Sequence, residues 1–384
     1  MTGTKYKIAY VTGSRADYGI VRQYLSYLDQ DEEIDFSVLV TGSHMDERFG
    51  NTVSVIEADG FQIDLKVDLK IDTHSNTAVL RSMAIGLEQF GKYFENHKYD
   101  LLIILGDRYE MMAVAQAAAM HNIPILHLHG GEVTYGNYDE FIRHCITKMS
   151  RYHFASTEVY RKRIIQLGEH PETVFNMGAL GAQNCNHIKE ENVLDAVKNL
   201  PSKGYCVVAF HPETLTNIDI GDQVEIVIRA LRDFSERYEI VLIGTNADTK
   251  SDVIRDQWVN FSKQDGVHYF ESLNTDSYLY LVKNSICLIG NSSSGIIEAP
   301  SLGVYSVNIG DRQRGRVHGE SVMDVACCES AIKDAIQSSI EKCRNQVKFV
   351  NPYYQPDAAR RCYEKTKELV SEMITAPKEF YDLT

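Results

Sequence analysis

The run CLIGNSSSGIIEAPSLG (287–303) holds a short apolar strand, 287–289, then a glycine, three serines and a predicted helix with Glu298 in its first turns. Backbone N–H groups at a helix start, joined by the hydroxyls of Ser292, Ser293 and Ser294 with Gly295 beside them, offer several donors to one anion. A carboxylate about a turn further on suits a ribose diol, so the segment reads as the cradle of a nucleoside diphosphate. It also reads as an ordinary serine-rich strand-to-helix turn, because motifs this short recur by chance.

Other reactive side chains stand directly after apolar runs. GSRADYG (13–19) puts Arg15 where it could clamp a phosphate opposite the cradle. GDRYE (106–110) puts Asp107 and Arg108 after LLIIL, HLHGGE (127–132) ends in Glu132, and NYDEFIRH (137–144) opens a helix on Asp139 and Glu140. Taken singly, Asp107 serves equally as a helix cap, Glu132 as a loop charge and Asp139 as a first-turn partner of the helix dipole. Three acids on neighbouring strand ends of one sheet point instead to acid–base work. In VVAFHPETL, His211 follows a buried strand and precedes a proline; it could orient a sugar, take a proton or, as imidazolium, steady a leaving diphosphate. Local backbone partners could equally satisfy it. His127 and His129 alternate on one strand and share a face, but their spacing matches no zinc pattern and core packing is the better account. Arg312, Arg314 and Arg316 in GDRQRGRVHGE lie beyond the cradle, either as surface charge or as ligands of the nucleotide sugar.

The elements that must hold these residues alternate. Apolar runs at 7–12, 35–41, 101–105, 124–128 and 152–156 are separated by helical stretches at 19–30, 76–96, 109–121 and 139–149. A second series follows at 205–210, 239–244, 267–270, 286–290 and 304–308. Continuous runs such as LLIIL mark strands buried on both faces, hence parallel sheets. The fold class is α/β, two Rossmann-like doubly wound domains facing a cleft, with ligands outside the carboxyl ends of the strands. The turn at Gly178–Gly181 divides them. Residues 1–178 carry the acids, 179–356 carry the cradle, and 357–384 hold a terminal helix (357–374) that packs back on the first domain.

Composition agrees. A chain of 384 residues with 44% hydrophobic content suits two domains. A net charge of −14 without a basic block disfavours nucleic acid or an anionic membrane as partner. The N-terminus has no long apolar leader and no run of about 18 apolar residues occurs, which points to the cytoplasm. Eight scattered cysteines without a CxxC pair fit buried thiols in a reducing compartment.

GSRADYG, TGSHMDERFGNT, GDRYE, HGGEVTYGNYDEFIRHCITKMS, FHPETL, LIGTNADT and GNSSSGIIEAPSLG, in this order, resemble the hydrolysing UDP-N-acetylglucosamine 2-epimerases of bacterial sialic acid synthesis over nearly the whole chain. That resemblance implies GT-B architecture, conversion of UDP-GlcNAc and water to ManNAc and UDP, no metal or nicotinamide cofactor, and a homo-oligomer, dimer or tetramer. It matches Asp107, Glu132 and Asp139 to the acid–base carboxylates and His211 to the cleft histidine. Arg15, Ser292, Ser293 and Glu298 match the diphosphate and ribose positions, and uracil contacts fall near Phe270–Asn274. The spacer VTYGNY departs from the SGT type of other members, at the sugar ring. Rival readings are a sister enzyme acting on UDP-N,N'-diacetylbacillosamine, a GT-B glycosyltransferase, and a nucleotide-sugar sensor without catalysis.

Overall fold

A computed structural model describes residues 5–201, 204–216, 218–343, 348–372 and 376–383. Within them lie two parallel sheets. The first holds β1 (Tyr6–Thr12), β2 (Ile34–Val40), β3 (Ile63–Lys66), β4 (Leu101–Leu105), β5 (Ile125–Leu128), β6 (Tyr152–Ala155) and β7 (Val174–Asn176), in the order β3-β2-β1-β4-β5-β6-β7. The second holds β8 (Tyr205–Ala209), β9 (Glu239–Ile243), β10 (Val267–Phe270), β11 (Cys287–Gly290), β12 (Tyr305–Ile309) and β13 (Val322–Val325), in the order β10-β9-β8-β11-β12-β13. β4 and β8 are buried along their whole length, as apolar residues at consecutive positions require of strands covered on both faces.

The chain order reverses between β1 and β4 in one sheet and between β8 and β11 in the other. At such a switch point the following loops part to opposite faces and leave a crevice. Arg15 follows β1, Asp107 follows β4, His211 follows β8 and Ser292 follows β11, so both crevices carry the residues singled out by chemistry.

The structure departs from the sequence reading at several elements. β3, β7 and β13 are short strands, and β3 shows alternating rather than continuous burial, which gives no apolar run to find. The first helix begins at Arg15 instead of 19, because the Ser14 side chain accepts a hydrogen bond from the Asp17 N–H at 3.3 Å and caps it. The helix after the serines is one turn only, Ser294–Ile297, and Glu298 lies at its end; Pro300 has no N–H to continue the ladder. His129 leaves the strand in the left-handed region at φ 63°, so it does not share a face with His127. Cys145 and Cys328 are exposed, whereas Cys185, Cys206, Cys287 and Cys362 are buried.

The terminal helix, Ala358–Ser371, packs on the Arg15–Asp29 helix, with the Tyr24 and Thr366 hydroxyls 2.6 Å apart and Lys367 on Asp31 at 2.8 Å. Residues 373–374 of the expected helix lie outside the described residues, as do residues 1–4. Among the described residues no helix is long and apolar enough to cross a membrane.

Candidate active site

Between the carboxyl ends of the two sheets lies a cavity of about 320 Å³. The first domain contributes Arg15, Asp107 and Asp139 to its wall; the second contributes His211, Ser292, Ser293, Ser294 and Glu298, with Arg312 and Arg316 between them. Glu132, Gly295 and Phe270 are not on that wall.

The wall that holds Arg15 and the serine loop is built from both domains. Arg15 occupies the first turn of a 15-residue helix, where the dipole disfavours a cation unless an anion is to be met there. Its Nη1 donates to Ser272 Oγ at 2.8 Å, across the cleft, and its Nε is buried without a partner among the described residues. The serine loop needs Gly290, at φ 136°, because any Cβ there would strike the Ala209 carbonyl of the neighbouring strand. With its helix reduced to one turn, the cradle relies on Ser292 and Ser293 more than on a dipole, and the longer Arg15 helix is the better dipole. Gly295 serves packing: its carbonyl accepts from Ser306 Oγ at 2.6 Å. Phe270 packs in the second domain, and the neighbouring Glu271, Ser272 and Leu273 face the cavity in its place. Glu298 is buried against Gly181, and burial pushes its carboxyl upward.

His211 is held neutral. Its Nδ1 accepts from the Asn246 N–H at 3.3 Å and lies 3.0 Å from Thr245 Oγ1, which leaves Nε2 to carry the proton. Burial and the Arg312 charge depress it to about 3. Of the alternatives left open by the sequence, a neutral ring or an imidazolium, the surroundings of His211 favour the neutral N–H donor.

Arg143, four residues past Asp139 on the same helix, joins the acids. Its Nη2 pairs with Asp107 and lies 3.0 Å from Thr134 Oγ1; its Nη1 donates to the Glu132 carbonyl at 3.0 Å and to Glu140 at 3.2 Å. Glu132 itself is enclosed by Arg316 at 2.8 Å, Ser156 Oγ at 2.6 Å and His129 Nδ1 at 3.1 Å. Burial opposes its charge, but Arg316 and His129 overcome that and hold it near 2. Asp139 differs. It accepts from Asn137 Nδ2 at 3.0 Å, and Arg312 stays 3.8 Å away. Burial and the Asp248 charge lift it from 3.8 to about 7, against Arg312 and Arg108. Arg314 is exposed and pairs with Asp311 at 3.3 Å.

Sequence reasoning passed over Arg143, Asp17, Asp248 and Glu213. Asp17 lines the cavity and burial raises it to about 6. Glu213 accepts from the Asp311 and Arg312 N–H groups at 2.9 and 3.2 Å and so fixes the loop that carries Arg312. The Asp139–Arg143 helical spacing was available as a signal; the others pair with residues too distant in sequence. The spacer at 133–138 is gripped by the second domain: Gly136 lies against the Arg312 backbone with no room for a Cβ, and Arg316 Nε donates to the Val133 carbonyl at 3.0 Å.

Residues 26–367 match the sequence family described as UDP-N-acetylglucosamine 2-epimerase. The polysialic acid biosynthesis protein P7 of Escherichia coli is 47% identical, over 98% of this chain and 97% of that protein. The UDP-N,N'-diacetylbacillosamine 2-epimerase (hydrolyzing) of Legionella pneumophila is 38% identical, over 96% and 98%. Among solved structures, Methanocaldococcus jannaschii UDP-GlcNAc 2-epimerase in complex with UDP-GlcNAc and UDP matches with a TM-score of 0.79 at 18% identity, over 94% and 99% of the two chains. Staphylococcus aureus MnaA with UDP matches with a TM-score of 0.78 at 18% identity, over 98% and 100%. At that identity the likeness concerns the fold, two parallel-sheet α/β domains in the GT-B arrangement.

Proposed function

We propose, from the premise that this chain belongs to the UDP-N-acetylglucosamine 2-epimerase family, that it is a hydrolysing member converting UDP-GlcNAc and water to ManNAc and UDP, the opening step of sialic acid synthesis. It is an enzyme acting on a nucleotide sugar. The observation that carries the proposal is the placement of Asp139, a buried carboxyl on the cavity wall pushed up to about 7 by burial and the Asp248 charge, opposite Arg15 and the serine loop.

In UDP-GlcNAc the C2 hydrogen is anti to the anomeric oxygen. A carboxylate on one face can take that proton while the C2–H electrons form a C1–C2 double bond and the C1–O bond breaks toward UDP. The product is 2-acetamidoglucal. Water then adds its oxygen to C1, giving up a proton to the site, as C2 receives a proton from the opposite face. Two cavity carboxyls serve these faces in our reading, Asp139 and the Arg143-paired Asp107. Arg15, the serine donors and the neutral His211 N–H meet the charge that grows on the diphosphate. Glu132 acts through Arg316, which it holds at the cavity edge. A homo-oligomer in the cytoplasm completes the reading.

Reaction in D₂O is expected to yield ManNAc with deuterium at C2, and ¹⁸O-water is expected to label its C1 and leave UDP unlabelled. Recovery of GlcNAc with protium at C2 as the sole sugar would sink the assignment, since a glycosyltransferase or glycosidase never touches C2. The similarity to the Legionella enzyme favours a second substrate, UDP-N,N'-diacetylbacillosamine, by the same elimination. Product NMR with each nucleotide sugar decides between them.

A further inference from the structure

The domains are joined beside Asp139 by a buried ion pair that the reaction scheme does not use. Arg108, after β4, donates from Nη1 to Asp248 Oδ1 at 2.8 Å and from Nη2 to the Ala247 carbonyl at 3.2 Å, while its Nε holds Glu110 at 3.0 Å. Asp248 belongs to the loop after β9, in the other domain, and its side chain is only 1% exposed. The same loop reaches the first domain twice more, through the Lys250 N–H on the Thr73 carbonyl at 2.7 Å and the Thr249 hydroxyl on Asn76 Oδ1 at 3.1 Å. Asp248 Oδ2 is nevertheless buried with no hydrogen-bond partner among the described residues. A buried carboxylate oxygen without a hydrogen-bond donor is costly.

We propose that Asp248 is a positioning residue: by closing on Arg108 across the cleft, it couples the closed arrangement of the two domains to proton transfer at Asp139. The proposal rests on the functional reading above, in which Asp139 exchanges the C2 proton. Two buried carboxylates close to one another cannot both ionise cheaply, and Arg108 decides which of them keeps the charge. Burial opposes the charge on Asp248, yet the Arg108 and Arg312 guanidinium groups keep it ionised, so Asp139 takes the proton. The groups facing Asp139 are Asp248 and Arg312 from the second domain, Arg108, Glu110 and Tyr138 from the first, and Arg316 at the edge. Opening the cleft withdraws Asp248 and Arg312 together and admits water, which returns Asp139 toward an ordinary carboxyl. Substrate would thus meet a primed Asp139 only once the domains have closed on it.

The test is the pH dependence of kcat, which reports the enzyme–substrate complex. Asp248→Asn is expected to move the limb governed by Asp139 to lower pH by about one unit or more, because the neighbouring negative charge is gone. Asp248→Glu, which keeps the charge, is expected to hold the limb where the wild type has it. Should the Asn variant not fold by circular dichroism, Asp248→Ser takes its place with the same expected shift. A limb that stays in place with the charge removed, or that moves equally with Glu, overturns the proposal. Asp139→Asn separates the two levels of inference. Wild-type turnover in that variant defeats the functional reading itself, whereas an inactive Asp139→Asn beside an unmoved Asp248→Asn profile defeats only the coupling.

Discussion

Glu132 and Asp139 stand seven positions apart in sequence and are buried almost alike, at 2% and 7% exposure, yet one is driven down to about 2 and the other up to about 7. Burial opposes the charge in both, so it cannot be the cause of the difference. The partners are. Glu132 has a guanidinium at 2.8 Å, a serine hydroxyl at 2.6 Å and an imidazole at 3.1 Å. Asp139 has its nearest Arg312 nitrogen at 3.8 Å and a negative Asp248 among its neighbours. One loop and helix start therefore hold a fixed anion and an exchangeable proton side by side, and only the second suits acid–base chemistry near neutral pH.

The comparison breaks most sharply at Asp139. Asp139→Asn keeps the shape and removes the proton, so turnover should fall by about 10³ or more while UDP affinity, read by calorimetry, stays nearly unchanged. Glu132→Gln should behave in the opposite way. It leaves Arg316 buried without its counter-charge, and stability measured by urea unfolding should drop by about 3 kcal/mol or more, activity falling with it. A Glu132→Gln enzyme that is as stable as the wild type but inactive would move Glu132 into the chemistry.

Linkage sharpens the contrast. Folding raises Asp139 from 3.8 to about 7. Its contribution to stability is therefore fully present below the unfolded value and is lost as pH rises through about 7. Folding lowers Glu132 from 4.5 to about 2, so its contribution is present above 4.5 and is lost as pH falls through about 2. Asp139→Asn should thus be more stable than the wild type at pH 8, with the gap closing as pH falls from 7 toward 4. Unfolding curves across that range check it, and a gap that widens toward acid contradicts the assigned direction.

The anion wall gives smaller effects. Arg15→Ala should weaken UDP binding about tenfold or more, and Ser292→Ala or Ser293→Ala only a few-fold, since the arginine loses a full positive charge opposite the diphosphate and each serine only a hydroxyl donor. Equal losses at all three would mean that the cradle, and not the arginine, carries the diphosphate.

Much of this was legible because parallel strands buried on both faces announce themselves as apolar runs, and the residue after each run lies at the cleft. LLIIL located Asp107, VVAF located His211 and CLIG located the serines. What stayed hidden depends on direction and distance. The chain turns through φ 63° at His129 and φ 75° at Gly131, and that turn sends Glu132 behind Arg316 instead of into the cavity. No spacing rule reports it. Asp248 meets Arg108 across a sequence separation of 140, and the edge strand β3 gave a half-buried alternation instead of a run.

The smallest expected effect concerns His211, on the opposite wall. With Nδ1 accepting from the Asn246 N–H, and with burial and Arg312 holding the ring at about 3, His211 carries no charge at any pH where the enzyme would be assayed. Its contribution to a bound diphosphate is then one hydrogen bond from an uncharged Nε2 to an anion, about 1.5–3 kcal/mol. His211→Gln, which keeps a donor, should weaken UDP binding by less than tenfold. More tellingly, the pH dependence of affinity from 5.5 to 8 should have the same slope in both proteins, because what remains belongs to the nucleotide and to other groups. An imidazolium would instead add affinity below its own titration and lose it above. A wild-type slope that flattens in His211→Gln would therefore return the charge to His211 and undo the contrast between a proton exchanged at Asp139 and a ring that keeps one state.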